Sequence, residues 1–172
     1  MKKIFYILTI CLFKFNLAYS LIEVDITRGN LDPLPIAVSP LHVDVQSDNY
    51  QDVKIKDLGD LISSVVEKNF KSTGLFNPLN KDAFVQKPDI AHLKPRFEDW
   101  SLITAQALVT GKLLIKDEKL KVEFRLWDVA ANKEMIALAF TTTPSNWRRV
   151  AHIISDKIYE RLTGETGYFD TR

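Results

Sequence analysis

The sequence is poor in the residues that build catalytic and metal sites. Its 172 residues include one cysteine, three histidines and six scattered glycines. Cys11 lies in an apolar N-terminal stretch, so the chain after that stretch has no thiol and must be held together by its hydrophobic core. His42, His92 and His152 lie 50 and 60 residues apart, and no two of them have the spacing of metal ligands. We therefore expect no metal and no cofactor.

Motifs of nucleotide binding and of serine hydrolysis are also missing. The sequence contains no G-x-S-x-G, no phosphate-binding loop and no G-x-G-x-x-G. The nearest arrangement is His152, Ser155 and Asp156, which share one face of a predicted helix. A single helix does not easily also supply an oxyanion hole and a substrate cleft, so a solvated polar face is favoured and no enzyme is expected. The alternative is a small exported ligand-binding or hydrolytic domain using the His152 helix, which would need a concave pocket there.

No excess of positive charge points to nucleic acid. Three of the 23 basic residues lie in the first 20 positions, where no acidic residue occurs, so the rest of the chain has a net charge of about −2. No basic patch with interleaved aromatic residues is present either. The sequence therefore favours neither a small-molecule substrate nor nucleic acid as a ligand.

The first 20 residues are typical of a secretory signal. Lys2 and Lys3 precede about ten apolar residues, and Ala18 and Ser20 give the small side chains of a cleavage site. The apolar run is shorter than the roughly 20 residues that span a bilayer, and Lys14 interrupts it. We expect cleaved export to the periplasm, with the mature chain starting at Leu21.

Residues 105–143 predict three consecutive antiparallel strands. The middle strand is the clearest, because Leu120, Val122, Phe124 and Leu126 alternate with charged residues. The strand before it is apolar on both parities, and the strand after it has three apolar residues on one parity, namely Ile136, Leu138 and Phe140. Such a meander must bury its apolar face against helices.

The remaining periodicities complete an α/β domain. Residues 36–41 predict a largely buried strand, which Pro40 ends or confines to an edge. Residues 55–72 and a segment starting at Pro144 predict amphipathic helices that end at Gly74 and Gly164. Extended chain at 75–79 and a short helix at 96–102 lie between them. We predict one domain with a mixed sheet and a helix on each face, over residues 21–164.

Two segments have the character of contact elements. The alternating N-terminal segment predicts a strand that can pair with its own sheet or with a partner's edge, and we take as the candidate binding residues Leu21, Ile22, Glu23, Val24, Asp25, Ile26 and Thr27. The second segment, residues 165–172, carries Tyr168 and Phe169 after the last helix stops. We expect these eight residues to be disordered or sticky in the isolated domain.

Several short motifs, in order, resemble the N-terminal domain family of TolB, a periplasmic component of the Tol-Pal system. They cover residues 35–38 with Pro40, 74–79, 107–109 with Gly111, and 147–172. The resemblance spans the whole chain, leader included. It implies a fold of the TolB N-terminal type, similar to anticodon-binding domains, and an adaptor rather than a catalyst.

The resemblance also implies partners. In the family, the mature N-terminal segment is captured by the inner-membrane protein TolA and influences binding of the lipoprotein Pal. By position this segment corresponds to residues 21–27. The system supports outer-membrane invagination at division and envelope integrity.

The family continues into a β-propeller that carries most of the Pal contact, whereas this sequence stops at Arg172. We therefore interpret residues 165–172 as a linker into a propeller that this chain lacks, and we expect either a piece of a longer protein or a truncated gene. Pal binding is therefore doubtful without the propeller, whereas the resemblance still implies TolA binding through the N-terminal segment.

Overall fold

The computed structural model describes residues 22, 32–44, 49–50 and 53–171. Most of its strands form one sheet in the order β5-β1-β6-β7-β8, with β2 also paired to β6. The strands are β1 (Leu34–Val38), β2 (His42–Asp44), β3 (Asn49–Tyr50), β4 (Val53–Lys54), β5 (Phe76–Pro78), β6 (Ala107–Lys116), β7 (Lys119–Asp128) and β8 (Lys133–Thr142). Strand β1 pairs in parallel with β5 and β6, and β2 pairs in parallel with β6. Strand β7 is antiparallel to both β6 and β8, so the sheet is mixed as predicted.

The predicted three-strand meander is confirmed. Strand β7 pairs along its whole length with β6 and from Leu120 to Asp128 with β8, with one irregularity between Leu126 and Trp127. Val122 lies opposite Leu113 on one side and Phe140 on the other. Asp117 and Glu118 form the turn between β6 and β7, both with positive φ, as a tight hairpin turn requires. The alternation of apolar and charged residues along β7 reappears as alternating burial, because successive side chains point to opposite faces.

In the described part of the chain, four α-helices cover the two faces of the sheet unevenly. They are α1 (Leu58–Thr73), α2 (Pro88–Ala91), α3 (Phe97–Leu102) and α4 (Trp147–Thr163). The two long helices, α1 and α4, pack side by side on one face and enclose the main core. The short α2 and α3 bring Ala91 and Trp100 to a second core on the opposite face. Helices on both faces are thus confirmed, and the two long amphipathic helices share one of them.

Glycine ends both long helices, as the sequence predicts. Gly74 and Gly164 have φ of 70° and 75°, in the left-handed region that residues with a side chain seldom adopt. Helix α4 begins after a 3-10 turn at Pro144–Asn146. The apolar stripe that predicted α4 is buried along its whole length, and its members are Trp147, Val150, Ile154, Ile158 and Leu162.

The strand predicted at 36–41 lies slightly earlier in the chain. Strand β1 ends at Val38, and Pro40 interrupts the pairing with β6 before β2 resumes it at His42. Pro40 has no N–H to donate to the ladder, which is why the strand breaks there. Strand β1 lies between β5 and β6, so the edge position is wrong and the termination is confirmed.

No helix among the described residues is long and apolar enough to cross a membrane.

Candidate interaction site

One residue of the candidate binding segment can be placed in the structure. Ile22 is described, whereas Leu21, Glu23, Val24, Asp25, Ile26 and Thr27 lie outside the described residues. The Ile22 backbone N–H donates a hydrogen bond of 3.2 Å to Oδ2 of Asp128. Its half-buried side chain packs against the main core. At this point the N-terminal segment is therefore attached to its own domain, by one hydrogen bond and one aliphatic side chain.

Asp128 is held at the end of β7, where the sheet meets the loop to β8. It is only 1% exposed and lies opposite Ala107 of β6 and Lys133 of β8. Its Oδ1 accepts a 2.8 Å hydrogen bond from the Ala131 N–H, and its Oδ2 accepts the bond from Ile22. A buried carboxylate is costly unless such bonds satisfy it, so Asp128 is suited to holding backbone N–H groups.

Sequence reasoning missed Asp128, although a signal was present. Counting in steps of two from Leu120 through Leu126 leads to Asp128, which places a carboxylate on the parity that faces the core. A polar residue at the end of an otherwise apolar parity indicates a bond that the strand itself does not supply.

The C-terminal segment is docked on α4, which corrects the expectation of disorder for residues 165–171. The N–H groups of Phe169 and Asp170 donate to the two oxygens of Asp156, at 2.7 and 3.0 Å. Asp170 in turn receives two N–H bonds from Arg149 as a bidentate ion pair. A Cβ on Gly167 would overlap the Asp156 backbone. The segment therefore lies closer to α4 than a residue with a side chain would permit. We name residues 165–171 the docked tail.

Aromatic contacts complete the docking of the tail. The Tyr159 ring lies edge-on to Tyr168 and Phe169, with centroids 5.5 and 6.0 Å away. Burial raises the pKa of Tyr159, and nearby Tyr168 and Glu165 raise it further. Phe169 is half-buried against the main core, whereas Tyr168 stays 55% exposed. Only one of the two predicted sticky aromatics is therefore available at the surface.

The His152 cluster does not form a hydrolytic arrangement. The Asn69 amide of α1 lies 3.0 Å from His152 Nδ1 and donates to Ser155 Oγ at 2.8 Å. The Ser155 hydroxyl is fully buried and donates to the Ala151 carbonyl, and Asp156 is engaged by the docked tail. A nucleophile must be accessible and hydrogen-bonded to its base, so this set bridges α1 to α4 rather than attacking a substrate.

The other two histidines lie together on the opposite side of the molecule. Their rings stack at 4.5 Å with an interplanar angle of 2°, and His92 Nδ1 lies 2.9 Å from the Pro88 carbonyl oxygen. Stacked rings do not direct their nitrogens to a common point. Within the described ranges, no group of three or more His, Cys, Asp or Glu side chains is arranged to hold a metal ion.

Comparison with known proteins gives the family. The model of the TolB amino-terminal domain matches residues 22–135, well over half of the chain. The chain belongs to the TolB amino-terminal domain family. The match covers every element from the N-terminal segment to the start of β8, including Ile22 and Asp128.

Relatives agree with this assignment. The chain is 71% identical over 157 residues to the Tol-Pal system protein TolB of Pelagibacter ubique (strain HTCC1062), an alignment that covers 90% of this chain and 35% of that protein. It therefore spans about a third of the length of this TolB relative. The crystal structure of TolB from Acinetobacter baumannii has the same fold over 88% of this chain and 32% of its own, with 20% identity and a TM-score of 0.62.

Proposed function

We propose that this chain is a periplasmic adaptor domain of the Tol-Pal system whose N-terminal segment, residues 21–27, is captured by a TolA-type partner. Membership of the TolB amino-terminal domain family and the 71% identity to a Tol-Pal system protein support the system. In this proposal residues 1–20 are an export signal, residues 21–164 are the folded domain, and residues 165–172 lead into a propeller. The domain is not an enzyme, and it contributes to outer-membrane invagination at division and to envelope integrity.

The observation that carries the proposal is the attachment of Ile22 to Asp128. A segment that a partner captures must detach from its own domain at a small free-energy cost and gain more free energy from binding the partner. The described attachment is one backbone hydrogen bond of 3.2 Å and one half-buried aliphatic side chain. A hydrogen bond to a charged acceptor contributes about 1.5–3 kcal/mol, an amount that strand pairing with a partner can exceed.

The direct test removes the segment. A variant without residues 21–27 should keep its fold by circular dichroism and lose binding to a purified TolA-type periplasmic domain in a calorimetric titration. Unchanged affinity would refute the proposed role of the segment. Because the deletion also removes Ile22 from the core, a second variant that retains the segment is needed.

Asp128→Asn provides that second variant. The amide has a single acceptor oxygen, and the shorter bond to Ala131 claims it, which leaves an N–H₂ group facing the Ile22 N–H. Self-docking should weaken, and affinity for the partner should rise by about tenfold, since less of the protein is held in the closed state. Asp156→Asn, a matched change at a carboxylate whose described backbone hydrogen bonds go to the docked tail, should leave partner affinity unchanged. Equal affinity for all three proteins would contradict the competition between self-docking and capture.

A further inference from the structure

The outer edge of β8 presents a long row of backbone groups, and most of the strand has no charged side chain of its own. Strand β8 is the last strand of the sheet, and in the described part of the chain no strand pairs with its outer side. Residues 135–142 include neither a charged residue nor a proline. Exposed edges of natural sheets usually carry lysine, proline or a covering element, which prevents pairing with other strands. Lys133, Glu134 and an irregular register protect only the start of β8. From Ile136 to Thr142 the described residues lack these features, so this part of the edge is open to strand addition.

A groove runs beside this edge. It has a volume of about 460 Å³ and is lined by Ile136 of β8 and, from α4 and its end, by Lys157, Glu160, Arg161 and Gly164. Leu138, which follows Ile136 on the same face of β8, is 36% exposed. Peptides that add to a sheet gain affinity from main-chain hydrogen bonds and specificity from pockets for alternate side chains. An extended segment beside β8 would have backbone on one side and α4 on the other.

The charged side chains that line the groove indicate which kind of segment can bind there. Lys157 is paired with Glu160 at 2.9 Å, whereas Arg161 has no carboxylate partner within the described residues and makes a long 3.5 Å contact to the Met135 carbonyl. The described α4 residues that line the groove therefore carry a surplus positive charge beside the aliphatic side chain of Ile136. Residues 135–142 of a second copy contain no acidic side chain, so pairing of two copies through β8 would leave Arg161 without a carboxylate partner.

We propose that the β8 edge and the α4 groove bind an extended segment of another protein by strand addition. This segment carries aliphatic side chains toward Ile136 and Leu138 and an acidic side chain toward Arg161. The residues of this surface are not those of the N-terminal segment, so the chain has two separate elements that could each contact a partner.

The charge preference can be tested with synthetic peptides. A fluorescein-labelled ten-residue peptide of alternating valine and glutamate is titrated in fluorescence anisotropy, beside a peptide with lysine at each glutamate. The glutamate peptide should bind about tenfold more tightly, and Arg161→Glu should reverse the order. Lys68→Glu, an equal change at an exposed site on α1, should leave it unchanged. Equal binding of both peptides, or the same response to both substitutions, would overturn the proposal.

Strand addition and the identity of the occupant need two further measurements. N-methylation of alternate peptide residues should abolish binding in one parity and spare the other, and the bound peptide should slow amide exchange in residues 136–142. If the peptide still bound when either set of alternate residues was N-methylated, strand addition would be excluded. If Asp128→Asn, which frees the N-terminal segment, changed peptide affinity by tenfold, the groove would be filled from within the chain. If the chain formed dimers that the peptide dissociated, a second copy would be the occupant. Either result would overturn the proposal.

Discussion

The docked tail gives the sharpest test of the structure, because two of its amides depend on a single side chain. In Asp156→Ala, the N–H groups of Phe169 and Asp170 lose their acceptors at 2.7 and 3.0 Å. Hydrogen bonds to a charged group contribute about 1.5–3 kcal/mol each when well formed. Asp156 is half-buried, so water recovers part of this energy when the tail opens.

We expect a local effect rather than global unfolding. Taking roughly 2 kcal/mol for the pair of bonds, the exchange rates of the Phe169 and Asp170 amides should rise by about thirtyfold. The free energy of global unfolding should fall by less than this, because the tail can open while α4 stays packed on the sheet. The residual protection comes from the Phe169 packing and from the ion pair between Arg149 and Asp170.

Amide hydrogen exchange measured by NMR is the appropriate assay, since it reports each of the two N–H groups separately. Glu160→Ala is the matched control on the same helix, because it removes only an exposed pair with Lys157 and should not alter the tail. Unchanged exchange rates of both amides in Asp156→Ala, or free exchange of both amides in the parent chain, would show that Asp156 does not hold the tail.

Two further predictions concern the fold itself. Gly59→Ala should destabilise the domain by about 1–3 kcal/mol in urea unfolding, because the new Cβ would overlap the Leu41 carbonyl oxygen, whereas Lys68→Ala on the same helix should have little effect; a more stable Gly59→Ala would contradict the packing. Burial raises the pKa of Glu67, partly offset by Lys81, so its favourable contribution to stability is complete below pH 4.5 and is lost as the pH rises through the folded-state pKa. The hydrogen bond from Lys121 lowers the pKa of Glu123, so that contribution is present above pH 4.5 and is lost on acidification. Relative to the parent chain, Glu67→Gln should therefore be more stable at pH 7 than at pH 3.5, and Glu123→Gln less stable at pH 7 than at pH 3.5. Unfolding free energies measured at the two pH values check this, and a change of the same sign in both variants would refute the assignment.

Local pattern determined the elements of this protein. The alternation from Leu120 to Leu126, the helical stripe from Trp147 to Leu162 and the stops at Gly74 and Gly164 each depend on neighbours within a few residues. Side-chain direction repeats every two residues in a strand and every 3.6 in a helix, so the amino-acid order alone specifies which face is buried. These predictions needed no knowledge of how the elements assemble.

Tertiary structure decided which elements share a face and which polar groups meet. The amphipathic stripes of α1 and α4 do not say that both helices cover one side of the sheet, where Asn69 bridges to His152 and Ser155. Asp128 and Ile22 lie 106 residues apart in sequence, so their hydrogen bond exists only after the sheet brings the end of β7 beside the N-terminal segment. The docked tail is a second example of a contact that sequence pattern does not predict. In the sequence Asp156 has the pattern of a solvated helix residue, and it gains its partners only because the chain turns at Gly164 and returns along α4. A hydrogen bond depends on distance in space, and sequence periodicity reports only direction.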